Sequence, residues 1–341
     1  MSPTPRLSVV VPTYQRRASV LRTLASLASQ TMPADMYEVI VAVDGSTDGS
    51  AAAVRGMVTS YALSVLEGPN RGRAAVCNTG IRAARGEIVV LLDDDMEAEP
   101  EFLAAHARAH ESPGLRGVVG AAPIVVSRDS PSFVRYMAEG FRGRLARLGQ
   151  PGYQLGFRDT YTGNFSAPRK LLLDVGGFDE TFRVYGHEDY ELAWRLLQAG
   201  VTLSFSAEAC AHQHYEKSFA AFARDGIARG RTAVLFAEKH PAVVDRIKLS
   251  EYRSGPVAWR ALRGLLLQMS QLSDRVPEIV VDVVRRIEAR EPSRLFKCYT
   301  LAIDYLYWYG AQNAMREQRS RAAQPSAPAA PPERSQSPAQ T

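Results

Sequence analysis

Glu87-Ile88-Val89-Val90-Leu91-Leu92-Asp93-Asp94-Asp95-Met96 is the stretch whose reading decides the fold. Ile88 to Leu92 is an unbroken apolar run, the pattern of a strand buried on both faces of a parallel sheet. It stops at three adjacent carboxylates, which repel one another and resist burial. At the carboxyl end of such a strand they stand where open α/β sheets bind ligands. Hard oxygen ligands there suit Mg²⁺ or Mn²⁺, whose coordination is commonly completed by substrate phosphates. The plainer reading is an acidic helix start, a purpose that Glu97, Glu99 and Glu101 also serve. Capping needs one Asp, however, and here there are three.

Toward the N-terminus the same grammar repeats. Leu7 to Pro12 reads as a strand, followed by Thr13-Tyr14 and Arg16-Arg17, then a helix from about Ala18 to Gln30. Glu38 to Asp44 is a second apolar strand, and Gly45-Ser46-Thr47-Asp48-Gly49-Ser50 is turn chemistry leading into a helix. Leu63 to Leu66 is a third strand and Arg73 to Arg85 a third helix. This alternation implies βαβ units with right-handed crossovers, hence a doubly wound, mainly parallel sheet flanked by helices, an α/β fold. All the strand ends then share one rim. It holds Tyr14, Asp44, the Asn70-Arg71-Gly72-Arg73 turn and Asp93–Asp95. An Asp at a strand end accepts from a base or ribose, or it caps a turn. Arginines there neutralise phosphates, or they are solvated surface charges.

The second chemical centre is His187-Glu188-Asp189-Tyr190-Glu191-Leu192-Ala193-Trp194-Arg195-Leu196. Leu192, Trp194 and Leu196 fit a helix packed on the sheet, with Glu188 and Asp189 in its first turn. The helix dipole favours ionised carboxylates there, which either poises a base or merely caps the helix. Before it, Val118 to Val126 reads as a strand that Pro123 makes short or places at an edge. Ser132 to Leu148 reads as a basic helix, Thr160 to Ala167 as a strand or loop, and Pro168 opens a helix ending at Gly176-Gly177. After Gly200 a strand returns over Val201 to Ser206. In Ala209-Cys210-Ala211-His212-Gln213-His214 the two histidines point the same way if the chain is extended. One is then a metal's third ligand, or both are satisfied polar groups.

The chain of 341 residues, 46% apolar and 23% charged with net charge +5, has the balance of a globular protein with a large core. That charge favours anions in general and selects none. Cys77, Cys210 and Cys298 are scattered and odd in number, which points to a reducing compartment and away from a cysteine zinc site. No signal-peptide pattern and no 18-residue apolar run is present, so the expected location is cytoplasmic, with peripheral contact at the inner membrane face compatible. Helices are expected over Ser218–Lys239, Val257–Leu272, Val276–Ala289 and Ser293–Arg316. Leu301 to Tyr309 is aromatic-rich: it packs on the main domain or a partner subunit, as in a homodimer, or lies on a membrane surface near a lipid-linked acceptor. The expected division is a catalytic domain over 1–217, a helical region over 218–320 and a disordered tail over 321–341.

Five motifs occur in order: Val10-Val11-Pro12-Thr13-Tyr14, Val43-Asp44-Gly45-Ser46-Thr47-Asp48, Leu91-Leu92-Asp93-Asp94-Asp95, Gly176-Gly177-Phe178-Asp179-Glu180, and Glu188-Asp189-Tyr190-Glu191-Leu192-Ala193-Trp194-Arg195. Together, across about residues 6–220, the chain resembles the inverting family 2 glycosyltransferases of the GT-A fold. The resemblance implies transfer of a sugar from a nucleotide-sugar donor to a carbohydrate, lipid-linked or small-molecule acceptor hydroxyl, with Mn²⁺ or Mg²⁺ as cofactor and no nucleic-acid partner. By it, Asp44 contacts the base, Asp93 and Asp95 hold the metal with His212, and Asp189, with Glu188 beside it, is the general base. The nucleotide-sugar set is Pro12, Thr13, Tyr14, Arg16, Asp44, Asn70, Arg71, Arg73, Asn78, Asp93 and Asp94. The acceptor side is Asn164, Gly177, Phe178 and Asp179. Two departures stand out. Many relatives carry Arg directly before the Asn matching Asn78, where this chain has Cys77, and Arg73 replaces a smaller residue. Arg71 or Arg73 is expected to supply the missing charge. A nucleotidyltransferase would share the sheet and metal but leave Glu188-Asp189 unexplained, and a non-catalytic nucleotide-sugar binder would never turn over. No G-x-G-x-x-G follows the first strand, which disfavours a dinucleotide dehydrogenase, and a glycoside hydrolase needs no diphosphate site.

Overall fold

The computed structural model describes residues 4–289 and 295–322. The strands are β1 (Leu7–Thr13), β2 (Tyr37–Asp44), β3 (Ala62–Gly68), β4 (Ile88–Leu92), β5 (Met96–Ala98), β6 (Arg116–Gly120), β7 (Asn164–Pro168), β8 (Thr202–Ser206) and β9 (Ala211–Gln213). Seven form one sheet in the order β3-β2-β1-β4-β7-β6-β8, while β5 and β9 pair antiparallel beside it. β1 runs parallel to β2 and β4, and β2 parallel to β3, whereas β7 is antiparallel to both its neighbours. Every residue of β1, β2 and β4 is buried, which is why these strands read as continuous apolar runs. β3, at the sheet edge, alternates exposed and half-buried residues.

The helices are α1 (Arg17–Leu27), α2 (Ser50–Arg55), α3 (Arg73–Ala83), α4 (Phe102–Ala109), α5 (Ser132–Leu148), α6 (Arg169–Asp174), α7 (Glu188–Gln198), α8 (Phe219–Lys239), α9 (Val257–Leu272), α10 (Val276–Glu288) and α11 (Leu295–Ala322). They cover both faces of the sheet. Alternation along β1 sends Val9 and Val11 into one core with Val20, Leu24 and Phe102 of α1 and α4. Val10 goes into the other, with Ile81 of α3 and Leu192 of α7. The strand order reverses between β1 and β4, the crevice where such sheets take their ligands.

β6 is short, as Pro123 implied, but it lies between β7 and β8 and is not an edge. Pro123 falls three residues beyond its end, so the ladder loses no donor. The aromatic run of α11 is packed against α8 and α9: Tyr305 and Leu306 are fully buried, and Trp308 nearly so. Its burial leaves those rings no membrane to touch, so the reading of this run as a membrane-surface helix is withdrawn. α8 and α11 meet backbone to backbone. A Cβ on Gly230 would lie 1.9 Å from the Tyr307 carbonyl oxygen, and one on Gly310 2.0 Å from that of Ile227. Tyr305 and Trp308 share one core with Val10 and Leu91, so that core runs across the expected boundary at 217. Among the described residues no helix is long and apolar enough to cross a membrane. Ser293 and, from residue 323, the expected tail lie outside the described residues.

Candidate active site

The carboxyl ends of β1, β2 and β4 deliver their side chains to one cleft of about 520 Å³, whose lining includes Pro12, Thr13, Tyr14, Arg16, Asp44, Asn70, Arg73 and Asp93–Asp95. A second recess of about 970 Å³ contains Glu188 and Asp189 at the start of α7. The two adjoin, because Arg73, Asp93, Tyr185, Gln213 and Tyr215 line both. The acidic centres that the sequence separates by nearly a hundred residues therefore face a common space.

Two arginines hold the Asp cluster. Arg16 Nη1 donates to Asp94 at 2.9 Å and to Asp95 at 3.1 Å, and Thr13 Oγ1 donates to Asp94 at 2.7 Å. Burial pushes the Asp94 carboxyl up to about 6 despite the pull of Arg16. Asp95 is raised too, by burial and then by the charge of Asp93. Arg73 donates to Asp93 at 2.7 Å, to Asp189 at 3.2 Å and to the Thr162 hydroxyl at 2.8 Å. Thr162 in turn donates to Asp189. One guanidinium thus ties the Asp cluster to the carboxylate at the head of α7. Gly163 lets them approach: a Cβ there would lie 2.4 Å from Asp93 Oδ2. Glu188 is buried, accepts from the Gly186 N–H at 2.8 Å, and is raised by burial and then by Asp189.

Of the two candidate arginines, Arg73 faces the cleft. Arg71 turns outward to pair with Glu180, and its backbone N–H donates to Asp44 at 2.7 Å. Asp44 also accepts from the Gly72 N–H at 3.0 Å, so it caps this turn while lining the cleft. Cys77, one helical turn beyond Arg73, is fully buried and its thiol is pushed up to about 12 by desolvation.

Several expected site residues serve the scaffold instead. Asn78 exchanges hydrogen bonds with the backbone of Phe178, at 2.8 and 2.7 Å, and does not reach the cleft. Gly177, at φ +68°, packs against that amide, where a Cβ would be 2.3 Å from Asn78 Oδ1. Phe178 is buried, with Arg73 over its ring at 5.8 Å, and Asp179 pairs with Lys239 at 2.7 Å. Asn164 is spent in the core, accepting from His106 and donating to the carbonyls of Ala121 and Ala209. None of these four acceptor-side candidates lines the cleft or recess. His212 is also corrected. Gln213 is the residue of β9 that turns to Asp95, at 3.4 Å, so alternation sends His212 to the other face. There its ring meets Glu99 at 2.8 Å, close to Cys210, while His214 meets Glu97 at 2.6 Å. Tyr185, Gln213 and Tyr215, which line the site, and Thr162, which bonds Arg73 and Asp189 from the core, are residues that the sequence did not single out. Only the period-two rule applied to 212–214 pointed to one of them.

The sequence profile described as "Glycosyl transferase family 2" matches residues 8–178, half of the chain. The chain belongs to this family. A second profile, described as the N-terminal domain of galactosyltransferase, matches residues 142–217. Validoxylamine A glucosyltransferase of Streptomyces hygroscopicus is 31% identical over 231 residues, covering 60% of this chain and 54% of the relative. The uncharacterized glycosyltransferase YfnE of Bacillus subtilis is 29% identical over 245 residues, covering 58% and 62%. The chain thus spans somewhat more than half the length of these relatives. Among solved structures, the mannosyltransferase PcManGT from Pyrobaculum calidifontis, in complex with GDP-Man and Mn²⁺, superposes with a TM-score of 0.61 at 22% identity, over 93% of this chain and 88% of that one. S. aureus TarS 1–349 in complex with UDP-GlcNAc gives 0.53 at 16% identity, over 92% of each. These likenesses establish the GT-A fold.

Proposed function

We propose that the protein is an inverting glycosyltransferase that moves a sugar from a nucleotide-sugar to an acceptor hydroxyl by single displacement, assisted by Mn²⁺ or Mg²⁺. The observation that carries this reading is the pair of adjoining recesses whose acidic groups, Asp93 of the strand-end cluster and Asp189, are bridged by Arg73. A separate leaving-group site and base site, open to one another, are what an in-line displacement requires.

The donor set fits a hard divalent cation. Asp93 and Asp95 offer carboxylate oxygens in a crowded pair whose charge burial makes costly, and a cation relieves that cost. When bound, the metal supplies Lewis-acid stabilisation of the charge on the departing diphosphate. The chain's own residues do the rest. Pro12, Thr13, Tyr14 and Asp44 form the wall for the nucleoside, and Arg16 and Arg73 place positive charge beside the diphosphate. Asp189 is the general base that takes the proton of the attacking hydroxyl. Thr162 and Arg73 fix its orientation, and Glu188, bonded to the Gly186 amide, supports the turn that presents it. Of the helices that follow the sheet, α8 lines the acceptor recess through Phe222 and Arg229.

Incubation with a panel of nucleotide-sugars, with Mg²⁺ or Mn²⁺, tests the reading. Release of the nucleoside diphosphate supports it. Release of pyrophosphate marks a nucleotidyltransferase, and binding without turnover under every acceptor tried marks a binding module.

A further inference from the structure

Behind the acceptor recess lies a cavity of about 130 Å³ where the start of α7, the turn at Phe157–Asp159, α8 and α11 converge. It shares Tyr190, Phe222 and Arg229 with the recess that contains Asp189, so the two spaces adjoin. Its chemistry is one-sided. Arg158, Arg229 and Lys248 line it, and no carboxylate does. Arg158 reaches out to Glu251 at 3.5 Å and to the Arg246 carbonyl at 3.0 Å, and Lys248 pairs with Asp304 at 2.7 Å. Those two carboxylates balance two of the three cations. Among the described residues the Arg229 guanidinium forms neither an ion pair nor a hydrogen bond.

A second observation points the same way. Tyr307 of α11, 6% exposed, is among the lining residues, and its hydroxyl, buried at the edge of this space, has no partner among the described residues. A buried donor without an acceptor is costly and marks a place where an acceptor belongs. His187, on the same wall, is held neutral by burial and by the fields of Arg229 and Arg158. The Arg229 guanidinium, with no bonded partner among the described residues and with Glu188 the carboxylate whose field reaches it, stands beside Arg158 and Lys248, and three cations on one lining make a site for an oxyanion.

We propose that this cavity binds an oxyanion, a phosphate or a carboxylate, carried by the acceptor, so that an anionic acceptor is anchored there with its hydroxyl toward Asp189. The anchor is a binding function of α8 and α11, beyond the donor chemistry of the Asp cluster. It rests on the glycosyltransferase reading for the word acceptor, but not for the site itself.

The test uses the full chain without donor and titrates it calorimetrically with inorganic phosphate and, separately, with acetate. Arg229→Met is expected to raise the dissociation constant of the tighter anion at least ten-fold, Tyr307→Phe about three-fold, and Arg229→Lys less than Arg229→Met. Arg73→Met is expected to leave it within two-fold, since that arginine belongs to the donor cleft. Tighter phosphate identifies a phosphate-ester acceptor, and tighter acetate an acidic sugar. Loss of binding in Arg73→Met but not in Arg229→Met would overturn the proposal, as would equal binding by the parent, Arg229→Met and Tyr307→Phe. Should Arg229→Met fail to fold, Tyr307→Phe and Arg229→Lys decide alone. No sugar transfer enters these measurements, so their failure leaves the glycosyltransferase reading standing, and a chain that transfers no sugar can still pass them.

Discussion

Gly163→Ala separates site geometry from stability. The added Cβ would sit 2.4 Å from Asp93 Oδ2 and 2.8 Å from Asp93 Cγ. Ordinary contact begins near 3.4 Å, so the carboxylate must retreat by 3.4 − 2.4, about 1 Å. It can do so by turning about its Cα–Cβ bond, because the Asp93 side chain is 32% exposed and the struck atoms are its carboxyl group, with Cβ at 3.4 Å. The cost to folding therefore stays at the low end of overpacking, about 1 kcal/mol. The backbone of Asp93 cannot follow, since its N–H donates to the Gly163 carbonyl at 2.9 Å. The bond from Arg73 to Asp93 is lost or lengthened and the proposed metal pair opens. A displacement of about 1 Å at a reacting centre costs roughly 10²-fold in rate. The assay is turnover at saturating donor and Mn²⁺, with a thermal melt on the same sample. A melting point within a few degrees of the parent and turnover down by about two orders of magnitude is expected. Parental turnover would refute the reasoning, and so would a collapse of the melting point, which would mean that Asp93 has no room to swing.

Asp189→Asn should lower transfer by roughly 10³-fold while nucleotide-sugar affinity by calorimetry changes less than two-fold, because the substitution removes a base and no donor contact. Chelation of divalent cations should weaken nucleotide-sugar binding in the parent but not in Asp95→Ala, whose affinity is already low; binding indifferent to Mn²⁺ in the parent would count against the metal pair. Burial holds His187 down at about 3 and His106 and His110 at about 4, all below the usual 6.5. Their neutral forms are favoured by folding, so stability is full above pH 6.5 and falls as the pH drops toward 4. Between pH 6.5 and 5 each contributes a loss of about 2 kcal/mol, read as the shift of a urea midpoint; a flat profile would contradict the burial of these rings. Tyr305→Ala should cost about 3–5 kcal/mol in the same assay, because the ring is fully buried between α11 and the main core.

The sheet was legible because β1, β2 and β4 are covered on both faces, which writes burial into the sequence as unbroken apolar runs. The strand-end carboxylates were legible because Asp93–Asp95 had no structural need to be three. The polar residues misread as ligands share a cause. Asn78 and Asn164 are asparagines whose donors and acceptors are absorbed by backbone, carboxylate or histidine groups distant in the chain. Such absorption leaves no local pattern. His212 misled because imidazole is so common a metal ligand, although two histidines at alternate positions on one face require that Gln213 take the other. Thr162 carried no signal at all, since its role depends on β7 lying against β4, a pairing that no local spacing reports.

The close approach of α8 and α11, with Gly230 against the backbone of Tyr307 and Gly310 against that of Ile227, has a mechanical consequence. Ridge-and-groove packing lets side chains yield and helices slip by fractions of a turn, but main chain resting on main chain does not. Arg229 immediately precedes one of these glycines, and Tyr307 stands three positions before the other. The two donors are thus clamped at fixed separation by a joint that tolerates no added methyl, so a single alanine at either glycine would misalign both together while leaving every polar side chain in place.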